Sequence, residues 1–187
     1  LYAMVITNIS GLYRYLLGDV VLFTSVHPYR IKIEGRTQEF INAFGEDLLL
    51  QNVQQALLTT CSDFDIKIKD YSIAPFYIKV NQKGRHQWFI EFEGEAPPLD
   101  AFTKALDEAM QNCNSNYAQK RTNDFAITRL EIIPLPAGFF QHWLRDRGKV
   151  GGQAKVPKLA NHRRFAEDIL ARIKKQTQTQ KTGQQSQ

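Results

Sequence analysis

The sequence predicts an α+β protein, on three observations: runs that alternate apolar and charged residues at the period of a strand, longer stretches with one apolar stripe at helical spacing, and an order in which the two interleave. The first 23 residues read as an all-β segment of unsettled register, and Leu1 to Ile6 already has strand character. A chain that opens inside a strand is expected to be cut from something longer. Tyr29 to Glu34 alternates strictly, Gly35 to Glu39 is a turn, and Phe40 to Ala43 is a short returning strand. From about Asp47 to Thr60, Leu49, Leu50, Val53, Ala56 and Leu57 follow helical spacing.

Phe64 to Val80 is strand-like but changes phase. Phe64, Ile66 and Ile68 share one parity and Tyr71, Ile73 and Tyr77 the other, which predicts a bulge near Asp70. Asn81 to Gly84 is a hairpin turn into a strand whose faces are His86, Trp88, Ile90, Phe92 and Gln87, Phe89, Glu91, Glu93. Pro97-Pro98 precedes the longest helix, striped by Phe102, Leu106, Ala109, Met110, Cys113 and Tyr117. Phe125 to Ile133 reads as a strand stopped by Pro134, Gly138 to Arg147 as a short helix, and Asn161 as the cap of a last helix carrying Phe165, Ile169 and Ile173. From Lys174 the Gln/Thr/Ser-rich end predicts a disordered tail. The middle of the chain thus has the order strand, helix, strand, strand, helix, strand, which is ferredoxin-like, βαββαβ.

Bulk properties narrow the classes. In 187 residues, 43% hydrophobic and 23% charged, no apolar run reaches the roughly 18 residues of a membrane span, and no signal-peptide pattern opens the chain. Cys61 and Cys113 sit in amphipathic patterns as buried free thiols, which favours the cytoplasm. The four histidines have no ligand spacing and no CxxC occurs, so no metal site is expected. No G-x-S-x-G elbow is present. Glu91 and Glu93 read as a solvated strand face.

Three segments have the residue types for chemistry. Asp19, between Gly18 and a β-branched run, suits the hydroxyls of a ribose, although a turn with Gly18 is the plainer reading of the residues alone. Arg36 follows Gly35, within reach of a phosphate or ribose, or is a solvated hairpin arginine. Lys155 follows Gly151-Gly152 in a basic stretch from Arg145 to Arg164, where a lysine can steady phosphate charge as it develops. Val156 excludes a Walker loop, and a solvated basic loop is the plainer reading.

The order of these segments resembles the adenylate-forming superfamily of acyl synthetases and luciferases. More closely, Gly11-Leu-Tyr-Arg-Tyr15, Phe40-Ile-Asn-Ala-Phe-Gly-Glu46, Asn114-Ser-Asn-Tyr117 with Lys120-Arg121, and Gly151-Gly-Gln-Ala-Lys-Val-Pro157 are similar to the auxin-responsive Gretchen Hagen family in its bacterial form, from about Leu1 to Ile173. The resemblance implies an amido synthetase that uses ATP and Mg2+ to make an acyl-adenylate and passes the acyl group to an amino acid amine. It implies Lys155 as the adenylation lysine, Asp19 on the ribose hydroxyls, Arg36 after the interdomain hinge, and Tyr13 and Arg14 in a flanking nucleotide motif. Lys158, Arg163 and Arg164 are expected to be lesser, solvent-screened cations.

The division implied is 1–28 as the end of an N-terminal adenylation domain, 29–173 as a mobile C-terminal lid with its hinge near 35–38, and 174–187 as tail. Gln38 departs from the acidic hinge residue of many superfamily members. The phosphate loop and acyl pocket are not in the chain, so the chain alone is expected to be inactive. Its partners are the missing adenylation domain, a carboxylic acid and an amino acid, with no membrane. The rival class is a basic nucleic-acid-binding module. Against it stand the absence of an RNP1 pattern and the acids Glu91, Glu93 and Glu95 beside Trp88.

Overall fold

Apolar side chains alternating along the first 36 residues build a three-stranded antiparallel sheet, β1 (Tyr2–Ile6), β2 (Tyr15–Val26) and β3 (Tyr29–Arg36), in that spatial order. The structure, a computed structural model, describes residues 2–36, 40–77, 83–122, 126–148 and 155–184, with 34–36 and 176–184 described by their backbone. The expected hairpin turn at Asn81 to Gly84 lies largely outside these residues.

β3 departs from the expectation that Tyr29 opens the second unit. It pairs with β2 from Val26↔Tyr29 to Asp19↔Arg36, so the first sheet runs past the expected boundary at residue 28. The cause is local: only His27 and Pro28 separate the two strands, and a connection that short closes antiparallel neighbours.

The second unit begins with two short paired strands, β4 (Phe40–Ile41) and β5 (Leu48–Leu49), which lead into α1 (Leu50–Asp63). The side chain of Asn52 accepts from the Leu49 amide, satisfying a donor that the first turn leaves open. β6 (Lys67–Phe76) and β7 (Arg85–Glu93) then pair antiparallel, with the bulge between Ile68 and Asp70 where the phase change placed it. α2 (Leu99–Cys113) and α3 (Ser115–Arg121) cross back to β8 (Glu131–Leu135), which joins β7 in parallel. The expected single helical stripe is broken at Asn114, whose side chain accepts from the Tyr117 amide and starts α3 afresh.

The α+β class therefore stands, but the ferredoxin-like sheet does not describe this topology. Four antiparallel strands were expected from 29 to 133; among the described residues the sheet is three-stranded and mixed, ordered β6-β7-β8. The hairpin has taken β3 into the first sheet, and a helical crossover makes β8 parallel to β7. Pro134, expected to end the last strand, lies inside β8 opposite Ile90. β8 is an edge strand of the sheet, where a missing N–H leaves no ladder bond unmade.

Alternation along β7 divides the core in two. Trp88, Ile90 and Phe92 join α1, α2 and α3 through Val53, Ala56, Phe102, Leu106 and Met110. Phe89 faces the other way, onto α4 (Phe139–Asp146) and α5 (Arg164–Gln184), through Phe139, Phe140, Trp143, Ala166 and Ile169. Asn161 is not the cap of α5; its side chain accepts from the Asn42 amide instead. α5 also continues to Gln184, past Lys174 where a disordered tail was expected. Its Gln, Lys and Thr residues tolerate a helix even though none of them calls for one. Cys61 and Cys113 are free and half-buried.

Candidate active site

Asp19 and Arg36 are direct cross-strand partners at one end of the β2–β3 ladder. Opposed residues of opposite charge favour that register, and the pairing puts a half-buried carboxylate across from an arginine backbone position 17 residues on. Tyr13 and Arg14 lie on the connection from β1 to β2. Asn8 organises this loop: its side chain accepts from the Ser10 and Leu12 amides, and its own amide donates to the Leu12 carbonyl at 2.9 Å. Arg14 adopts a left-handed φ of 48°, held by its amide donating to Thr7 Oγ1 at 3.0 Å. Tyr13 is left 77% exposed and Arg14 is also exposed.

Lys155 stands elsewhere, beside the second sheet. It is exposed, and the residue after it, Val156, is buried against Phe89 and Trp143. From there the chain runs parallel to β6. The Ile73 amide donates to the Lys158 carbonyl at 2.9 Å, and the Ala160 amide donates to the Ile73 carbonyl at 3.1 Å. Leu159 and Ala160 are buried, and Ser72 Oγ donates to the Pro157 carbonyl at 2.7 Å. Lys155 is thus presented at the end of a strand-like segment clamped to the sheet edge. Asp19 and Arg36 share one sheet; Lys155 belongs to the other.

Of the three cations expected to face solvent, Arg164 is exposed, but Lys158 and Arg163 are held by the fold. Lys158 Nζ bonds Asp70 and lies 4.4 Å from the centre of the Tyr71 ring. Arg163 donates to the Pro75 carbonyl and to Gln87, and lies over Phe76. Burial, only partly offset by Glu167, Glu131 and Tyr77, lowers its pKa from the ordinary arginine value. Arg147 bonds Asp168 at 2.7 Å and packs over Trp143 and Phe165. Cations held this way by their own fold are poorly placed to meet a nucleic-acid backbone.

Sequence reasoning missed two buried polar groups. Glu91, read as surface, is buried, and its carboxylate accepts from the Gly138 and Phe140 amides at the start of α4 while pairing with Lys69 at 3.2 Å. Burial pushes this carboxyl up, but the two amides and Lys69 outweigh it and hold it below the usual value. The second group begins at Glu46, whose side chain is fully buried with that of His86 at 2.8 Å. Glu46 also accepts from the Ala43 and Phe44 amides, closing the loop that Gly45 turns at φ 81°. His86 stacks on Tyr117, Tyr117 donates to Asp107 at 2.6 Å, and Arg121 grips the same Asp107 with Nε and Nη2. Burial, then the Asp107 charge, push the Tyr117 phenol well above its ordinary pKa, so it remains a donor. The Asn114 to Arg121 motif therefore has a structural duty. The hint available in sequence was a histidine and a glutamate in otherwise apolar surroundings, which spacing alone does not pair.

Among the described residues no group of three or more His, Cys, Asp or Glu is arranged to hold a metal ion, and no helix is long and apolar enough to cross a membrane.

A mixed sheet covered by helices on both faces, preceded by a small antiparallel sheet, is the class of α+β protein this geometry defines. Residues 51–164 match the GH3 family C-terminal domain and residues 1–36 match the GH3 family central domain. The chain belongs to the GH3 family. It is 28% identical over 176 residues to the 4-substituted benzoates-glutamate ligase GH3.12 of Arabidopsis thaliana, covering 84% of this chain and 30% of that protein. It is 28% identical over 169 residues to the jasmonoyl–L-amino acid synthetase GH3.5 of Oryza sativa subsp. japonica, covering 86% and 29%. Among solved structures, the GH3.15 acyl acid amido synthetase superposes with a TM-score of 0.70 at 22% identity, covering 91% of this chain and 32% of that one. At that identity the likeness shows the fold. The chain spans about three-tenths of the length of these curated relatives. Both are plant proteins, and they lend no support to the bacterial form that the motifs suggested.

Proposed function

We propose that this chain is the C-terminal part of an ATP-dependent acyl acid amido synthetase, acting with an adenylation domain that precedes it. In the first half-reaction a carboxylate oxygen bonds to the α-phosphorus of ATP and pyrophosphate leaves. In the second an amine nitrogen bonds to the acyl carbon, AMP leaves, and the nitrogen loses a proton. Asp19 accepts from the ribose hydroxyls, Arg36 lies beside it at the sheet's end, and Tyr13 and Arg14 flank the nucleotide. Lys155 steadies the charge that builds on phosphate oxygens as the adenylate forms. Magnesium commonly rides on substrate phosphates with few protein ligands, and here it would enter with ATP. The second unit, from residue 40 to 173, acts as the lid, pivoting near 35–38 behind the last strand of the first sheet, and the setting is the cytoplasm.

The observation that supports this reading most is the register of Asp19 opposite Arg36, within the residues that match the family's central domain. The test is Lys155→Ala in the intact protein. ATP–pyrophosphate exchange is expected to slow by about 100-fold, near 3 kcal/mol of transition-state stabilisation, with little change in ATP binding. The 187-residue chain alone is expected to catalyse no exchange. A normal rate in Lys155→Ala, or robust exchange by the chain alone, sinks the proposal.

A further inference from the structure

The segment that presents Lys155 is fixed by a charged clip on β6, and we propose that Asp70, acting through Lys158, is a positioning residue for Lys155. The proposal deepens the reading of Lys155 given above and rests on it.

The clip begins with the bulge. Ile68 pairs with Phe92 and Tyr71 with Ile90, so one extra residue, Lys69, lets both Ile68 and Tyr71 serve the face covered by α1 and α2. Asp70 then falls opposite Glu91, off that face, at the strand's outer edge. Its carboxylate is fixed locally, because Oδ1 accepts from the Tyr71 amide at 2.8 Å. The same Oδ1 meets Lys158 Nζ, and the Tyr71 ring lies under that ammonium. Asp70 and Tyr71 therefore form a two-sided seat, anionic on one side and aromatic on the other, for one lysine.

What that seat holds is a length of chain with two backbone bonds to β6, both made to Ile73. A segment pinned at one residue can still pivot about it. The Lys158 side chain adds a second anchor at Asp70, three residues nearer the start of β6, and Ser72 to Pro157 adds a third. Together with buried Val156 they fix where the chain leaves the sheet, and Lys155 is the next residue out. A lysine that acts on developing charge is sensitive to position, since displacement by an ångström can remove most of its effect. Asp70 touches no substrate in this account; it acts by holding Lys158.

The experiment compares Asp70→Ala, Asp70→Glu, Lys158→Ala and the double alanine variant in the intact protein. Asp70→Ala is expected to speed amide exchange across 156–160 while leaving β7 protected, and to lower kcat for ATP–pyrophosphate exchange by roughly 10- to 100-fold with the KM for ATP unchanged. Asp70→Glu keeps the anion and restores most of the rate. The double variant loses no more than either single one, as partners in one contact should. Unchanged protection of 156–160 in Asp70→Ala, losses in kcat that add, or a rise in KM alone overturns the proposal. Lys155→Ala run alongside separates the two readings. A normal rate there removes the assignment of Lys155 itself, whereas a slow Lys155→Ala beside a normal Asp70→Ala overturns only the role of Asp70.

Discussion

At the scale of single residues, the strongest constraint is a carboxylate with no access to water. Glu46 and His86 are fully buried and 2.8 Å apart. Burial by itself pushes the Glu46 carboxyl up; the His86 hydrogen bond and charge, with the Phe44 amide, bring it below its ordinary value of 4.5. A carboxyl depressed in the folded state stabilises the fold above its unfolded pKa, about 4.3, and that contribution is lost as pH falls through the folded value. His86→Ala reverses the balance, because burial then acts against two amide donors alone. The variant is expected to be less stable by about 3 kcal/mol at pH 7, the usual cost of leaving a buried charge without its partner. The deficit should shrink as pH falls through the lowered value of the Glu46 carboxyl in the parent protein, below which Glu46 is protonated in both proteins. Urea titrations at several pH values measure it, and a deficit that is constant with pH removes the charge pair from the explanation.

At the scale of elements, local pattern was readable and pairing partners were not. The bulge near Asp70 and the two faces of β7 followed from parity, since side chains alternate across a strand whatever lies beyond it. Whether β3 joins the first sheet or the second is decided by which neighbour is closest in space, and parity is silent on that. Glu91 shows the same limit: its alternation put it on the face away from Trp88, but only the arrival of α4 makes that face interior. The site divides likewise. The proposed site residues Asp19, Arg36 and Lys155 stand out in sequence by residue type and neighbours alone, whereas the Asp70–Lys158 contact joins residues 88 apart and needs the fold. Gly84 gives this scale its prediction. A Cβ there would lie 2.1 Å from the Phe44 ring, so the residue just before β7 has to be small because the loop holding Glu46 lays its aromatic side chain on that spot. Gly84→Ala is expected to destabilise by about 1–3 kcal/mol, as overpacking does. Adding Phe44→Leu should recover part of that loss in thermal unfolding; no recovery would mean the strain lies in the backbone.

At the scale of the molecule, the two sheets differ in how well they are covered. Both apolar cores are built from Ile41 onward, and among the described residues none before Ile41 belongs to either. The first sheet is instead rich in exposed apolar side chains, among them Tyr2, Val5, Leu16, Phe23, Ile31 and Ile33. A three-stranded sheet with so little of its apolar surface covered contributes little stability of its own and invites association. The second unit has its own core on each face of its sheet, which is the requirement for independent folding. Removing residues 1–39 should therefore leave the midpoint of thermal unfolding nearly unchanged, within the few degrees that a surface change of about 1 kcal/mol produces in a domain of this size. It should also reduce self-association, because the exposed sheet leaves with the deleted residues. Calorimetry and sedimentation of 40–187 beside 1–187 read both quantities. If the shortened chain unfolds much earlier, the first sheet is part of the same cooperative unit, and a lid that moves as a separate body loses its physical basis. An unchanged midpoint with reduced association means that the second unit's stability resides wholly in its own two cores, as the proposed lid, a body that pivots against another domain, requires.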